Sequence, residues 1–147
     1  MEQTFVMFKP ETIQRRLCGP ILQRLENKGF KLIAMKLMTI DEDLAKEHYA
    51  EHSGKSFFPE LVEHICSGPV LAMVWEGDGV IASIRAMMGK TNPLEAAAGT
   101  IRGDFGVTMS LNLIHGSDSA QSAAREIKLF FNPEELQTYD LSLGKWI

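Results

Sequence analysis

Short apolar runs alternate with amphipathic segments along the whole chain, and their order limits the folds that it can adopt. Runs at 4–8, 30–38 and 69–75 are bounded by turn residues and predict strands, and a fourth, shorter strand is predicted at 109–114. Segments with helical spacing of apolar residues lie between the strands and after the last one. The predicted order is β-α-β-α-α-β-α-loop-β-α.

Capping residues and helix breakers define the predicted helix ends. Gly19-Pro20 opens the first helix and Lys28-Gly29 closes it, while Asp41 is suited to N-cap the second helix. The other limits are Pro59 and Ser67-Gly68 for the third helix, 79–88 for the fourth, and Gly116-Ser-Asp-Ser119 and Asn132-Pro133 for the last. Ser117 or Ser119 can cap that last helix.

Four strands and their helices in 147 residues predict a ferredoxin-like α+β sandwich. We expect a four-stranded antiparallel sheet with helices covering one face. The length is typical of one domain, so residues 1–147 are expected to form a single domain. Gly89 to Gly106 mixes Gly, Asn, Pro and Thr without periodicity, which predicts a long functional loop.

Charge and cysteine content exclude several classes of protein. The net charge is −4 and the pI is near 5.6, whereas proteins that bind the nucleic-acid backbone usually have a basic face. We therefore expect no specific nucleic-acid partner. No stretch is apolar enough to cross a membrane, and the first four residues lack the features of a signal peptide. The isolated thiols of Cys18 and Cys66 suit a reducing compartment, so a cytoplasmic protein is expected.

Three short patterns resemble ligand-binding motifs but lack the structural context of those motifs. Gly77-Asp-Gly79-Val-Ile-Ala82 matches a dinucleotide fingerprint, but too little chain follows it for further βαβ units, so we interpret it as a turn. The Gly-Lys-Ser and Gly-Lys-Thr segments at 54–56 and 89–91 follow helices rather than strands, which excludes a P-loop. His48 and His52 lie one helical turn apart, and we interpret them as part of a solvated face rather than a metal site.

The strongest chemical signal is the segment Asn112-Leu-Ile-His115-Gly116-Ser117-Asp118. His115 lies at the end of the last predicted strand and before a helix N-terminus, where free N–H groups favour an anion. A neutral imidazole has one nitrogen free to act as a nucleophile once a hydrogen bond orients the other, and Glu126 on the following helix could supply that bond. Gly116 would leave room beside the ring. A histidine packed in the core is the alternative, and this segment alone leaves both open.

Five segments together resemble the nucleoside diphosphate kinase family. They occur in order between Thr4 and about Phe131, and they are Phe8-Lys9-Pro10, Phe57-Phe-Pro59, Arg85-x-Met-x-Gly-x-Thr-Asn-Pro93, Gly99-Thr-Ile-Arg-Gly-Asp-Phe105 and Asn112-x-x-His-Gly-Ser-Asp118. The resemblance implies ping-pong transfer of the γ-phosphate from a nucleoside triphosphate to a nucleoside diphosphate, through phosphohistidine on His115 and with low base specificity. Glu11 departs from the family's usual Asp, and the tail after Phe131 is not aligned.

The resemblance also implies roles for the other residues of the site. Lys9 and Asn112 would hold the ribose 3′-hydroxyl, and Ser117 and Glu126 would support His115. The phosphate-binding roles fall on Tyr49, Arg85, Thr91 and Arg102, and the base would stack on Phe57 with Leu61 beside it. Guanidinium groups suit phosphate oxygens, and an aromatic face accepts any base. Mg²⁺ is expected to arrive on the phosphates rather than in a protein cage.

The expected partners are therefore nucleoside di- and triphosphates, together with further copies of the chain. Both homotetramers and homohexamers occur in the resembled family, and the sequence does not choose between them. Two other classes of function are a regulatory module that binds a small ligand or RNA, and a catalytically degraded member that acts as a scaffold. The acidic pI disfavours RNA, and the intact set of predicted site residues disfavours a scaffold.

Overall fold

A computed structural model describes all residues from 1 to 147, and its four strands form one antiparallel sheet. The strands are β1 (Glu2–Phe8), β2 (Lys31–Met38), β3 (Val70–Gly77) and β4 (Ile114–Gly116). Their order across the sheet is β2-β3-β1-β4, so β1 pairs with β3 on one side and with β4 on the other. The ferredoxin-like α+β prediction is confirmed.

Seven helices connect and follow the strands. They are α1 (Pro10–Gln14), α2 (Cys18–Lys28), α3 (Glu42–His48), α4 (Phe58–Ile65), α5 (Val80–Met88), α6 (Ile101–Phe105) and α7 (Ala120–Phe130). Most of the predicted ends are confirmed: Gly29 closes α2 at φ 105°, and the Asp41 carboxylate accepts from the Leu44 N–H at 2.8 Å. None of the helices combines the length and apolarity that a membrane crossing requires.

Helices cover both faces of the sheet, which corrects the prediction of one covered face. Alternate residues of β1 and β3 point to opposite faces, and within 5–8 and 72–75 both sets are fully buried. On one face the sheet packs against α2 and α5 through Val6, Phe8, Met73, Trp75, Ile21, Leu25, Val80 and Ile84. On the other face it packs against α3, α4 and α7 through Phe5, Met7, Ala72, Val74, Ala45, Val62, Ile65 and Phe130. The continuous apolar runs of β1 and β3 were the signal for this arrangement.

The predicted long loop at 89–106 contains the short helix α6, which the sequence pattern does not indicate. Thr100 N-caps this helix, because its hydroxyl accepts from the Gly103 N–H at 3.0 Å. The sequence does not predict this helix because Gly103 lies within it and glycine is a poor helix former. A Cβ at this position would overlap the carbonyl oxygen of Ala97, so the close approach of two backbone segments requires glycine here.

The predicted strand at 109–114 is also wrong. Met109–Leu111 form a 3-10 turn, and β4 begins only at Ile114. Between them lies Leu113, which has φ 77° although it is not glycine. The Ile114 N–H donates to the Asn112 carbonyl at 2.9 Å, so these three residues form a γ-turn, a rare and strained conformation. Residues 112 to 115 therefore do not follow the regular alternation of faces of a β-strand.

Removal of the N-cap of α7 should lower the stability of the fold. The Ser119 hydroxyl accepts from the Ser122 N–H at 3.1 Å, and so satisfies a backbone donor that has no partner within the helix. Ser119→Ala is expected to lower the free energy of unfolding by about 1 kcal/mol in denaturant titrations at matched protein concentration. Ser110→Ala, at an exposed position, is the control. Equal stability of the two variants would contradict the assignment of the cap.

Candidate active site

His115 lies on the short strand β4, where it pairs with Met7 of β1. Its side chain is 23% exposed, so solvent and ligands reach the ring. Its Nε2 lies 2.9 Å from Oε1 of Glu126 on α7, the contact that the sequence predicted. A core histidine, which the sequence left open, is thereby excluded because the ring is both accessible and held by a carboxylate.

Glu126 is buried beneath the ring and is held by two donors. The Ser117 hydroxyl donates to the same Oε1 at 2.7 Å. Burial raises the pKa of the Glu126 carboxyl, but the hydrogen bonds from His115 and Ser117 and the nearby histidines outweigh it, so the pKa lies below its ordinary value. An ionised carboxylate only accepts, which assigns the proton to Nε2 of His115. The other ring nitrogen, Nδ1, then carries the free lone pair.

His48 lies against the face of this site, and our interpretation of it as solvated is wrong. Its side chain is only 5% exposed, and its ring meets the His115 ring edge to face with centroids 4.8 Å apart. Burial, and then the nearby His115, lower the pKa of His48 to about 3 although the charge of Glu126 raises it, so the ring stays neutral. Neither ring nitrogen has a hydrogen-bond partner. His52 is half-buried and lies further along the chain.

Three side chains at this point could bind a metal ion. One ligand atom each from His48, His115 and Glu126 lie within 4.8 Å of one another. Two imidazoles and one carboxylate suit a transition metal, whereas Mg²⁺ prefers an octahedron of oxygen ligands. The carboxylate is already engaged by His115 and Ser117. This group therefore does not fit Mg²⁺.

Lys9 and Asn112, which are distant in sequence, meet beside the γ-turn. Nζ of Lys9 donates to Oδ1 of Asn112 at 2.8 Å, and the Asn112 amide donates to the Thr91 carbonyl at 3.2 Å. Burial lowers the pKa of Lys9 to about 8; the charge of Glu11 raises it and that of Arg102 lowers it. The ammonium is thus still present at neutral pH, and two of its three donors remain for a ligand.

Arg102 is buried on α6 and directs three donors at backbone carbonyls. Its Nε donates to Asn112 at 3.1 Å, its Nη2 to Ile114 at 2.6 Å and its Nη1 to Gly89 at 3.2 Å. Burial, and then the charge of Arg85, lower the pKa of Arg102 to about 10, so the guanidinium remains protonated. The side chain therefore shapes the backbone next to His115 and places a positive charge there.

Two of the three remaining predicted phosphate ligands contact the same backbone segment. Arg85 on α5 is exposed and its Nη1 donates to the Gly116 carbonyl at 3.2 Å, next to His115. Thr91 is exposed and contacts Asn112 through its carbonyl. Tyr49 follows α3, and burial raises its pKa to about 12, so the phenol keeps its proton and can donate. Arg85 and Thr91 thus contact the backbone segment that carries His115, and Tyr49 contacts the ring of His48.

Phe57 and Leu61 lie at the far end of a row of rings. Phe57 is the N-cap of α4 and is 44% exposed, and Leu61 follows it one turn later. The successive ring centroids are 5.6 Å, 6.3 Å, 4.7 Å and 4.8 Å apart, along Phe57, His52, Tyr49, His48 and His115. The row thus connects an exposed aromatic face with the imidazole.

The structure gives Gly116 a different role from the predicted one, and it shows contacts of Glu11 that were not predicted. Gly116 does not leave room for a ligand, because a Cβ there would meet Sδ of Met88 at 2.6 Å; the space is filled by α5. Glu11 was noted in the sequence only as a departure from the family pattern. Its buried carboxylate accepts from the Leu113 N–H at 3.1 Å and faces Nε2 of His64 at 2.9 Å. An acidic residue directly after Lys9-Pro10 was the only sequence signal.

An α+β sandwich with an accessible, carboxylate-bound imidazole beside buried cations has the architecture of a histidine-dependent phosphotransferase. The family model described as nucleoside diphosphate kinase matches residues 2–136. The chain is 56% identical over 147 residues to the nucleoside diphosphate kinase of Brevibacillus brevis, with full coverage of both proteins, and 58% identical to that of Macrococcus caseolyticus, covering 100% of this chain and 99% of the relative.

A solved structure shows the same fold. The nucleoside diphosphate kinase of Halobacterium salinarum, in complex with CDP, superimposes with a TM-score of 0.97 at 52% identity, covering 99% of this chain and 97% of that one. The chain belongs to the nucleoside diphosphate kinase family, whose enzymes transfer a phosphoryl group between nucleotides.

The lowered pKa of Lys9 predicts an alkaline limit on nucleotide binding. The ammonium is present below about pH 8 and is lost above it, so nucleotide affinity should fall as the pH rises through that value. We expect kcat/KM to fall there in the wild type, and Lys9→Met to lower kcat/KM and abolish this step. Lys9→Arg remains charged at higher pH and should move the step upward. A step that stays near pH 8 in Lys9→Arg would assign it to another group.

Proposed function

We propose that His115 is the phosphate-carrying nucleophile of a nucleoside diphosphate kinase, and that residues 1–147 act as one domain. The observation that carries this proposal is the hydrogen bond between Nε2 of His115 and the ionised Glu126. It leaves the Nδ1 lone pair available on a ring that is 23% exposed. The similar enzyme solved with CDP supports a nucleoside diphosphate as one substrate.

The first half-reaction phosphorylates His115. Nδ1 attacks the γ-phosphorus of the donor nucleoside triphosphate, a P–N bond forms, the bond from phosphorus to the β,γ-bridging oxygen breaks, and the nucleoside diphosphate leaves. The imidazole then carries a proton on Nε2 and a phosphoryl group on Nδ1, so the ring becomes positive. The carboxylate of Glu126, at 2.9 Å, stabilises that charge without accepting the proton.

The second half-reaction is the reverse with a different nucleotide. The terminal oxygen of the acceptor diphosphate attacks phosphorus and the P–N bond breaks, which regenerates the neutral ring. Because donor and acceptor have the same chemistry, the intermediate must preserve the phosphoryl-transfer potential. A phosphohistidine does so, whereas a serine phosphate ester would be an energy minimum from which transfer is slow. Two similar steps on one nucleophile give ping-pong kinetics.

Each of the other predicted residues binds one part of the nucleotide. Lys9 and Asn112 hold the ribose 3′-hydroxyl, and the phosphates are held by Tyr49, Arg85, Thr91 and Arg102. The base stacks on Phe57 with Leu61 beside it. This assignment is supported by the row of rings that lies between Phe57 and His115. Stacking without contacts to base edges gives low base specificity.

Three further features belong to the same proposal. Mg²⁺ enters with the nucleotide, bound to its phosphates, and offsets their charge; the imidazole-rich group at His115 is not its ligand set. The chain assembles as a homotetramer or a homohexamer. It acts in the cytoplasm, where its free Cys18 and Cys66 remain reduced.

The phosphoenzyme provides the direct test of the nucleophile. Incubation with ATP labelled on its γ-phosphate should give phosphate on the protein that is labile in acid and stable in base. His115→Ala should lose the label and turnover while keeping the unfolding transition. The matched control is His52→Gln, which removes a histidine that does not touch His115 and should keep the label. A label that persists in His115→Ala would place the nucleophile elsewhere.

The stacking platform provides a second test. Phe57→Ala should weaken binding of adenine, guanine, cytosine and uracil nucleotides alike, by about 1–3 kcal/mol, because every base has a π-face that loses its partner. Phe57→Tyr retains the ring and should bind like the wild type. Calorimetric titration with the four nucleoside diphosphates measures both variants. A loss confined to one base would refute a platform that does not distinguish bases.

A further inference from the structure

Glu11 contacts both the γ-turn before His115 and helix α4, which have separate roles in the proposed function. It lies in α1 and is only 8% exposed. Its Oε2 accepts from the Leu113 N–H at 3.1 Å, and its Oε1 lies 2.9 Å from Nε2 of His64 on α4. A carboxylate this deeply buried requires partners for both oxygens, and these two partners supply them. One side chain thus links the γ-turn before His115 to the helix that carries the predicted base platform.

The first link holds a strained backbone. Leu113 has φ 77°, and its carbonyl accepts from the Lys9 N–H at 2.9 Å and the Thr12 hydroxyl at 2.6 Å. Glu11 takes the remaining polar group of Leu113, its N–H. Such a conformation persists only where the surroundings fix it. Asn112 precedes this residue directly and His115 follows it closely, so their relative positions depend on the turn.

The second link is electrostatic and acts on Lys9. Among the charged groups facing its ammonium, Glu11 raises the pKa and Arg102 lowers it, while burial lowers it most. Glu11 is thus the negative charge that helps to keep Lys9 protonated at neutral pH. Lys9 in turn donates to Asn112 at 2.8 Å. The charge of Glu11 therefore supports the side chain that we assign to the ribose hydroxyl.

The third link reaches α4. Phe57, Leu61 and His64 follow one another at spacings of four and three residues, so they lie on one face of the helix. His64 is held by Glu11, and the helix is thereby tied to the chain segment that ends at His115. The separation between the base platform and the imidazole has to match the length of a nucleotide.

We propose that Glu11 is a positioning residue that acts through Leu113, Lys9 and His64, and that its contact with His64 fixes the spacing between the base-binding helix and the phosphate-binding end of the site. This inference rests on the proposed function. It assigns to Glu11 of α1 a role in nucleotide affinity that follows from its contacts with Leu113 and His64 taken together. Glu11 does not touch the reacting atoms, so its effect must appear through the three residues that it contacts.

Two substitutions separate these links in the full-length chain. Glu11→Gln keeps the shape but removes the charge, and the alkaline step in kcat/KM should move about one pH unit lower because Lys9 loses its support. His64→Phe leaves that charge in place but breaks the link to α4, so KM should rise about three- to tenfold for every base. In His64→Phe, kcat should change less than twofold and the alkaline step should stay near pH 8.

Two further variants complete the experiment. Glu11→Asp keeps the charge on a shorter side chain, so it should retain the alkaline step even if it is less stable. Glu63→Gln removes an exposed carboxylate from the same helix as His64, and it should match the wild type in KM, kcat and pH profile. A merely structural role of Glu11 would lower stability in all its variants without moving the alkaline step.

The outcomes distinguish this inference from the proposed function. The label on His115 is measured first in the wild type, and its absence would overturn the proposed function itself. With the label present, an unmoved alkaline step in Glu11→Gln would overturn the electrostatic link. An unchanged KM in His64→Phe would overturn the link to α4. A downward shift of the step in Glu11→Asp, despite its charge, would likewise contradict the role assigned to Glu11.

Discussion

The γ-turn centred on Leu113 is the constraint on which the site depends. A non-glycine residue at φ 77° is unfavourable by itself, and the three carbonyls of the turn and the Leu113 N–H all have partners from other elements. Arg102 holds the carbonyls on either side of Leu113, and α1 holds Leu113 itself. The strain is therefore maintained by the tertiary structure, as expected where a backbone is shaped for function. The turn ends the connection from α6 and starts β4, which places His115 at the edge of the sheet.

The cations of the site are held by hydrogen bonds to the protein itself. Arg102 and Lys9 donate to groups of the turn, Arg85 donates beside His115, and donors of all three remain free. In the proposed function, a triphosphate meets charges whose positions the protein fixes, and such preorganisation is a large contribution to catalysis. The desolvation that lowers the pKa values of Lys9 and Arg102 is the cost of burying these charges.

How much could be predicted from the sequence depended on whether a feature was local. The strands β1 and β3, the cap at Asp41 and the ends of α7 follow from runs of neighbouring residues, and they are confirmed. The contact between His115 and Glu126 was within reach because both lie on consecutive elements. The helix α6 was missed because Gly103 serves a close backbone approach that no local pattern records. The γ-turn was missed because partners a hundred residues away impose it.

His48 shows most clearly why the rest of the site was beyond sequence reasoning. Two histidines one turn apart resemble a solvated helix face, yet α3 packs on the sheet so that His48 is buried among Phe5, Phe130 and His115. Burial keeps the pKa of this ring near 3, so no second positive charge competes when the neighbouring imidazole becomes positive on phosphorylation. The polar residue that the sequence placed in solvent thus presents a buried, neutral ring to the proposed nucleophile.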